Sequence, residues 1–193
     1  MFERYTEQAR RAIFFARYEA AHQPAEKITT AHLLIGLTRD VGSRADAVGS
    51  LKDNVDQLRS ILGIPHLPNS PVKLALERNI GLNDNSKMVL AYAVDEANLD
   101  QEYWIETDHL LRGILRFPNE ATAALQSISL DLNKAREASK LNRAEFPSKS
   151  PPRFHLFHRL FAIPFQKNRL SIKTQIVLAA IVLLLSLLVL WTH

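Results

Sequence analysis

One stretch of this chain is written twice. Thr30-Ala31-His32-Leu33-Leu34-Ile35-Gly36-Leu37 aligns without a gap on Thr107-Asp108-His109-Leu110-Leu111-Arg112-Gly113-Ile114, a shift of 77 residues. The same shift sets Thr6 on Asn83, Ala12-Ile13 on Val89-Leu90, Glu19-Ala20 on Glu96-Ala97 and Ser50-Leu51 on Ser127-Ile128. Whatever local structure the first copy adopts, the second must repeat it, which excludes most folds before any propensity is weighed.

Each copy reads as helix. Ala9, Ala12, Ile13, Ala16 and Ala20 recur at three- and four-residue steps, the spacing of one helical face. A first helix is therefore expected from Glu7 to His22, with Thr6 as its N-cap and Pro24 closing it. A second starts after Thr30, whose hydroxyl can accept from an orphan first-turn amide, and runs to Arg39. Shorter helices follow over Ser43 to Leu51 and Asn54 to Leu62, stopped by Gly63-Ile64-Pro65. The second copy is expected to place helices over Asp84 to Leu99, Asp108 to Phe117, Ala121 to Ile128 and Asp131 to Leu141. No stretch alternates with period two, so no sheet is expected.

The last quarter of the chain is different material. Ile176 to Trp191 is free of charge, with Ser186 its one polar residue. At 1.5 Å per residue this stretch is about 24 Å long, and Thr174, Gln175 and Thr192 extend it toward the ~30 Å of a hydrocarbon core. Six basic residues, Lys149, Arg153, Arg159, Lys167, Arg169 and Lys173, precede it without an acid among them. By the positive-inside rule they place the N-terminal head in the cytoplasm and the C-terminus on the far side. Between the breaker Ser148 to Pro152 and Pro164, Phe154, Phe157, Leu160 and Phe161 share one helical face, as in a helix lying among lipid headgroups. His155 and His158 on its other face have no third ligand for a metal. The first twenty residues carry seven charges and hold no signal-peptide core.

The expected fold is thus all-α: two pseudo-symmetric four-helix repeats, making an eight-helix bundle, plus one C-terminal transmembrane helix. The boundaries are 1–64 for the first repeat, 65–78 for a linker and 79–141 for the second repeat. A basic, proline-bearing linker with the juxtamembrane segment follows at 142–173, and the span at 174–192. The formal charge of +4 belongs to the linker, because the first 145 residues hold 18 basic against all 20 acidic side chains. A head of that balance is no nucleic-acid binder by charge. With no cysteine in the chain, disulfides, thiolate metal sites and cysteine nucleophiles are excluded.

The doubled motif, together with Phe2-Glu3-Arg4-Tyr5-Thr6 and Ala9-Arg10-Arg11, resembles the Clp repeat N-terminal domain of the Clp-type AAA+ chaperones, the ClpC-like branch above all. The resemblance covers Met1 to Leu141. It implies a pseudo-twofold bundle of eight helices that recruits adaptor proteins and substrates to an unfoldase. The motor itself has no counterpart in this sequence: no Gly-x-x-x-x-Gly-Lys-Ser/Thr phosphate loop occurs, so no nucleotide or other cofactor is expected.

In some ClpC-like domains a Thr opening each repeat and the Glu of a Thr-Glu-His motif bind phosphoarginine. The resemblance transfers those roles to Thr6 and Ala31 in the first repeat, where the carboxylate is missing, and to Asn83 and Asp108 in the second. Helix-start amides would hold the phosphate and a carboxylate the guanidinium. The same residues also suit plain helix capping, with Asp108 as an acid in a first turn. His32 and His109 suit packing inside the bundle better than metal binding. Tyr103 and Trp104, two large aromatics ahead of the second motif, are either core anchors or partner contacts.

No nucleophile elbow or metalloprotease helix frames the Ser, His and Asp residues, so the chain is not expected to be an enzyme. The expected function is a membrane-tethered, non-catalytic module that binds a protein or peptide, such as Clp components, adaptors or their substrates. The alternative is a structural docking or dimerisation subunit of a membrane complex.

Overall fold

The computed structural model describes residues 2–39, 51–67 and 79–145, all of them within one compact unit, Met1–Pro151. The expected helix Ser43 to Leu51, apart from Leu51, most of the linker, the juxtamembrane segment and the apolar stretch 174–192 lie outside the described residues. Among the described residues no helix is long and apolar enough to cross a membrane.

Seven helices are present among them: α1 (Glu7–Ala21), α2 (Thr30–Arg39), α3 (Val55–Leu62), α4 (Asp84–Leu99), α5 (Thr107–Leu115), α6 (Glu120–Ser127) and α7 (Leu132–Glu145). Side-chain caps open α1, α4 and α6. Thr6 Oγ1 accepts from the Ala9 amide at 3.3 Å, Asn83 Oδ1 from Ser86 at 2.8 Å, and Asn119 Oδ1 from Thr122 at 3.0 Å. Each such cap contributes on the order of 1 kcal/mol. Helix α3 ends at Gly63, whose φ of 65° is the left-handed C-cap geometry.

The start of α2 differs from the sequence expectation. Thr30 is its first helical residue, and the amide ahead of it, on Thr29, is taken by His32 Nδ1 at 3.1 Å. The counterpart bond, from the Glu106 amide to His109 Nδ1 at 2.9 Å, opens α5. An acceptor at Nδ1 leaves the ring proton on Nε2 in both histidines. His109 Nε2 then donates to Asp100 at 3.2 Å.

Within each repeat the first two helices cross at a glycine. A Cβ on Gly36 would strike the backbone of Ala12 and Ala16, and a Cβ on Gly113 that of Val89 and Ala93. The residues struck are again 77 apart, so the crossing is duplicated with the motif. Around it, Leu34, Ile35, Leu37, Leu111 and Ile114 are at most 1% exposed, each worth about 1.5–3 kcal/mol on burial. Where the repeats meet, Ala12, Leu33 and Leu37 face their counterparts Val89, Leu110 and Ile114 around a void of about 10 Å³, no more than the least a water needs.

Two short parallel pairings join the repeats, contrary to the expectation of no sheet. β1 (Lys27–Ile28) pairs with β2 (Gly81–Leu82), and Tyr5 bridges Ile105. These are one contact used twice: Ile28 with Leu82 and Ile105 with Tyr5 exchange under the repeat shift. The N-cap amides follow suit, Thr6 donating to Ile105 O at 3.1 Å and Asn83 to Ile28 O at 3.0 Å. Each repeat's first helix is therefore fastened to the other repeat's loop.

Candidate binding sites at the helix starts and on α4

The cross-fastening decides which sequence candidates meet. Thr6 Oγ1 donates to Glu106 Oε2 at 3.0 Å, so Thr6 of the first repeat stands beside the loop leading to Asp108 of the second. Asn83 joins the first repeat instead, through Ile28. The pairing of Asn83 with Asp108 in one site is thus not what the hydrogen bonds assemble. At the start of α2, the place opposite Asn83, Glu120 of α6 accepts from Thr30 Oγ1 at 3.2 Å and from the Ala31 amide at 3.1 Å. A carboxylate of the chain itself already occupies that helix start.

Asp108 is 1% exposed, and its Oδ2 lies 3.5 Å from Arg112 Nη2, one turn along α5. The reason is visible in the repeat. Arg112, Asp100 and Asp108 stand where the first copy has Ile35, Gln23 and Ala31, so the second repeat has a cation and two acids where the first has none. Arg112 also bonds Asp100 through Nη2 and Glu96 through Nη1, the latter at 3.1 Å. Burying Asp108 without a cation would cost several kcal/mol; the Arg112 guanidinium 3.5 Å away offsets part of that cost. Its carboxylate is enclosed within the core.

Both cores also share a glutamate held between two arginines. Glu19, fully buried, binds Arg59 at 2.7 Å and Arg39 at 2.8 Å; Glu96, fully buried, binds Arg136 at 2.6 Å and Arg116 at 3.6 Å. The arginines correspond under the repeat shift, and so do the rings under them, Phe15 for Arg39 and Tyr92 for Arg116. Burial depresses the pKa of His32, more strongly than Glu120 and Glu19 raise it. These clusters are structural.

Tyr103 and Trp104 are both half-buried and meet edge to face at 4.8 Å. Arg4 fixes the first of them, donating Nε to Tyr103 O at 3.0 Å with its guanidinium 5.4 Å from the ring centre. Arg4 also borders a feature absent from the sequence reading, a groove of about 390 Å³ between the N-terminal segment and α4. Its walls include Phe2, Tyr5, Leu90, Val94 and Ile105, with Ala91 between them and Glu3, Arg4 and Lys87 on the rim. Lys87, Leu90, Ala91 and Val94 stand at i, i+3, i+4 and i+7 on α4, next to the core stripe of Val89, Ala93 and Ala97. Phe2 packs edge-on to Tyr5 at 5.2 Å. Tyr5 is buried, which pushes its phenol up to about 12, so it stays a donor, to Leu90 O at 3.3 Å. A groove of this size with an apolar floor and a few polar groups is the shape of a binding site. Among the described residues no group of three acids or histidines could hold a metal ion.

No family model matches the chain. Over 144 residues, 71% of its length, it is 30% identical to "Chaperone protein ClpB" of Oceanobacillus iheyensis, and over the same length 28% identical to "Negative regulator of genetic competence ClpC/MecB" of Bacillus subtilis. The aligned part is 17% of each of those proteins, so the chain spans about a sixth of the curated relatives it matches. Among solved structures, the N-terminal domain of the chaperone ClpD from Arabidopsis thaliana superposes with a TM-score of 0.56 at 22% identity, covering 75% of this chain and 97% of that domain. The head is homologous to the N-terminal region of the Clp chaperones and has the fold of their N-terminal domains.

Proposed function

We propose that this protein is a membrane-tethered, non-catalytic module that binds a protein or peptide in the α4 groove. The groove carries the reading: it combines an apolar floor, a mixed-charge rim and a rigid helix behind it, while the candidate charged sites are taken up internally by Glu120 and Arg112. The likeness to a Clp N-terminal domain supports a polypeptide as the ligand. Tethering comes from the stretch 174–192 and its six basic neighbours, with the head cytoplasmic. Confinement to a membrane surface raises local concentration without a new contact.

The test is alkaline carbonate extraction of native membranes, followed by identification of polypeptides that co-purify with the full-length protein. The reading expects the protein in the pellet, released when residues 173–193 are removed, and a set of bound clients or adaptors that a groove substitution depletes. Extraction into the supernatant would refute the tether. Recovery of a single fixed membrane complex, indifferent to groove substitutions, would favour a docking subunit.

A further inference from the structure

The duplication gives each groove residue a counterpart 77 positions away, and the two faces differ. Ala91 corresponds to Phe14, Val94 to Arg17 and Phe2 to Asn79. The counterpart face on α1 thus carries a ring and a guanidinium where α4 carries a methyl and an isopropyl group. Ala91 is exposed in the groove, so its small side chain leaves room that a ring at the same place would fill.

The second asymmetry is electrical. Of the rim cations, Lys87 is paired with Asp84 at 2.8 Å. Arg4 donates Nε to Tyr103 O and Nη2 to Asn98 Oδ1, each at 3.0 Å, and Nη1 takes part in neither bond. Its partners are uncharged, and among the described residues no carboxylate bonds it. Glu3, on the same rim, is exposed, and water screens it. Arg4 is half-buried beside an apolar floor, where an added opposite charge is felt more strongly than in bulk solvent.

Resting on the peptide-binding reading above, we infer that the α4 groove takes a short apolar segment bearing a carboxylate, that Arg4 reads the carboxylate, and that the small Ala91 leaves this site open whereas Phe14 and Arg17 close its counterpart on α1. An acidic side chain or a C-terminal carboxylate meets the same chemistry. Arg4 supplies the free edge of a planar fork already held in place by Tyr103 and Asn98, so little rotamer entropy remains to be lost on pairing.

The test uses the full-length protein in detergent micelles and three fluorescein-labelled decapeptides, identical except that Glu, Gln or Lys stands between two leucines. Anisotropy titration should rank them Glu, Gln, Lys, with about a fivefold step from Glu to Gln, the size of a partly exposed ion pair. Arg4→Gln should erase the step and Arg4→Lys, which keeps the charge without the fork, should keep only part of it, each variant remaining helical at the titration temperature. Ala91→Phe should abolish binding of all three, whereas Phe14→Ala should leave it intact, with one peptide per head throughout. Equal affinities, or preference for Lys, overturn the carboxylate reading and leave peptide binding standing. Undiminished binding to Ala91→Phe overturns the placement in this groove, and no binding of any peptide overturns the function proposed above as well.

Discussion

Gly113→Ala should destabilise the protein, although a helix-interior glycine replaced by alanine ordinarily stabilises by roughly 0.5–1 kcal/mol. The new methyl would sit 2.5 Å from Val89 O and 3.0 Å from Ala93 N, both backbone atoms of α4. Ordinary contact needs about 3.4–4 Å, so α5 must back away by close to 1 Å, and a gap of that size forfeits a quarter to a half of each dispersion contact along the crossing. Overpacking of this kind costs about 1–3 kcal/mol; with the propensity gain subtracted, the net is a loss of about 0–2.5 kcal/mol, midway at about 1 kcal/mol, which is roughly 2–5 °C in melting temperature for a head of this size. Far-UV circular dichroism melts of the full-length protein in micelles measure it. Gly36→Ala should behave alike, because its Cβ meets Ala16 N at 2.7 Å. Gly81→Ala, where nothing lies within 4 Å, is the neutral control. A rise in melting temperature for Gly113→Ala would refute the close crossing.

Arg112→Ile should cost about 3–5 kcal/mol by leaving buried acids without their cation, and much of this should return when Asp100→Gln and Asp108→Ala are added, since the triple variant restores the first repeat's own residues; urea titrations of the single and triple variants read the coupling. Because the folded-state pKa of His32 is lowered by burial, the unfolded chain binds its proton first: its contribution is fully present above the ordinary value of 6.5 and is lost as pH falls below it. Replacing it as His32→Gln should flatten stability between pH 6.5 and 5, measured by thermal melts across that range; an unchanged slope contradicts the assignment.

How much of this was legible in the sequence varies from residue to residue. The caps at Thr6 and Asn83 and the helix Asp84–Leu99 follow from local rules, because each depends on neighbours three or four positions away. The two-residue strands are too short to show alternation; only the tertiary fastening of Thr6 to Ile105 and of Asn83 to Ile28 reveals them. Thr30 has the residue type of a cap, but His32, by taking the Thr29 amide, moves the cap one residue earlier. Asp108 carried its own correction: it and Arg112, four residues on, are the two charged departures inside the repeated motif, and that spacing brings them together on a helix. The ligand role came from resemblance, whereas the burial came from the fold. The groove was hidden because Phe2 and Ile105 are distant in sequence, yet Lys87, Leu90, Ala91 and Val94 formed a second stripe on α4 that could have been seen.

The most direct test places a photo-reactive diazirine side chain at position 87, on the groove rim, and separately at position 10, its counterpart on α1, in the full-length protein within its native membrane. Irradiation should yield adducts with other polypeptides from position 87, suppressed by Ala91→Phe, and few from position 10. Adducts of equal yield from both positions, or none from position 87, would contradict a head that binds through the α4 groove.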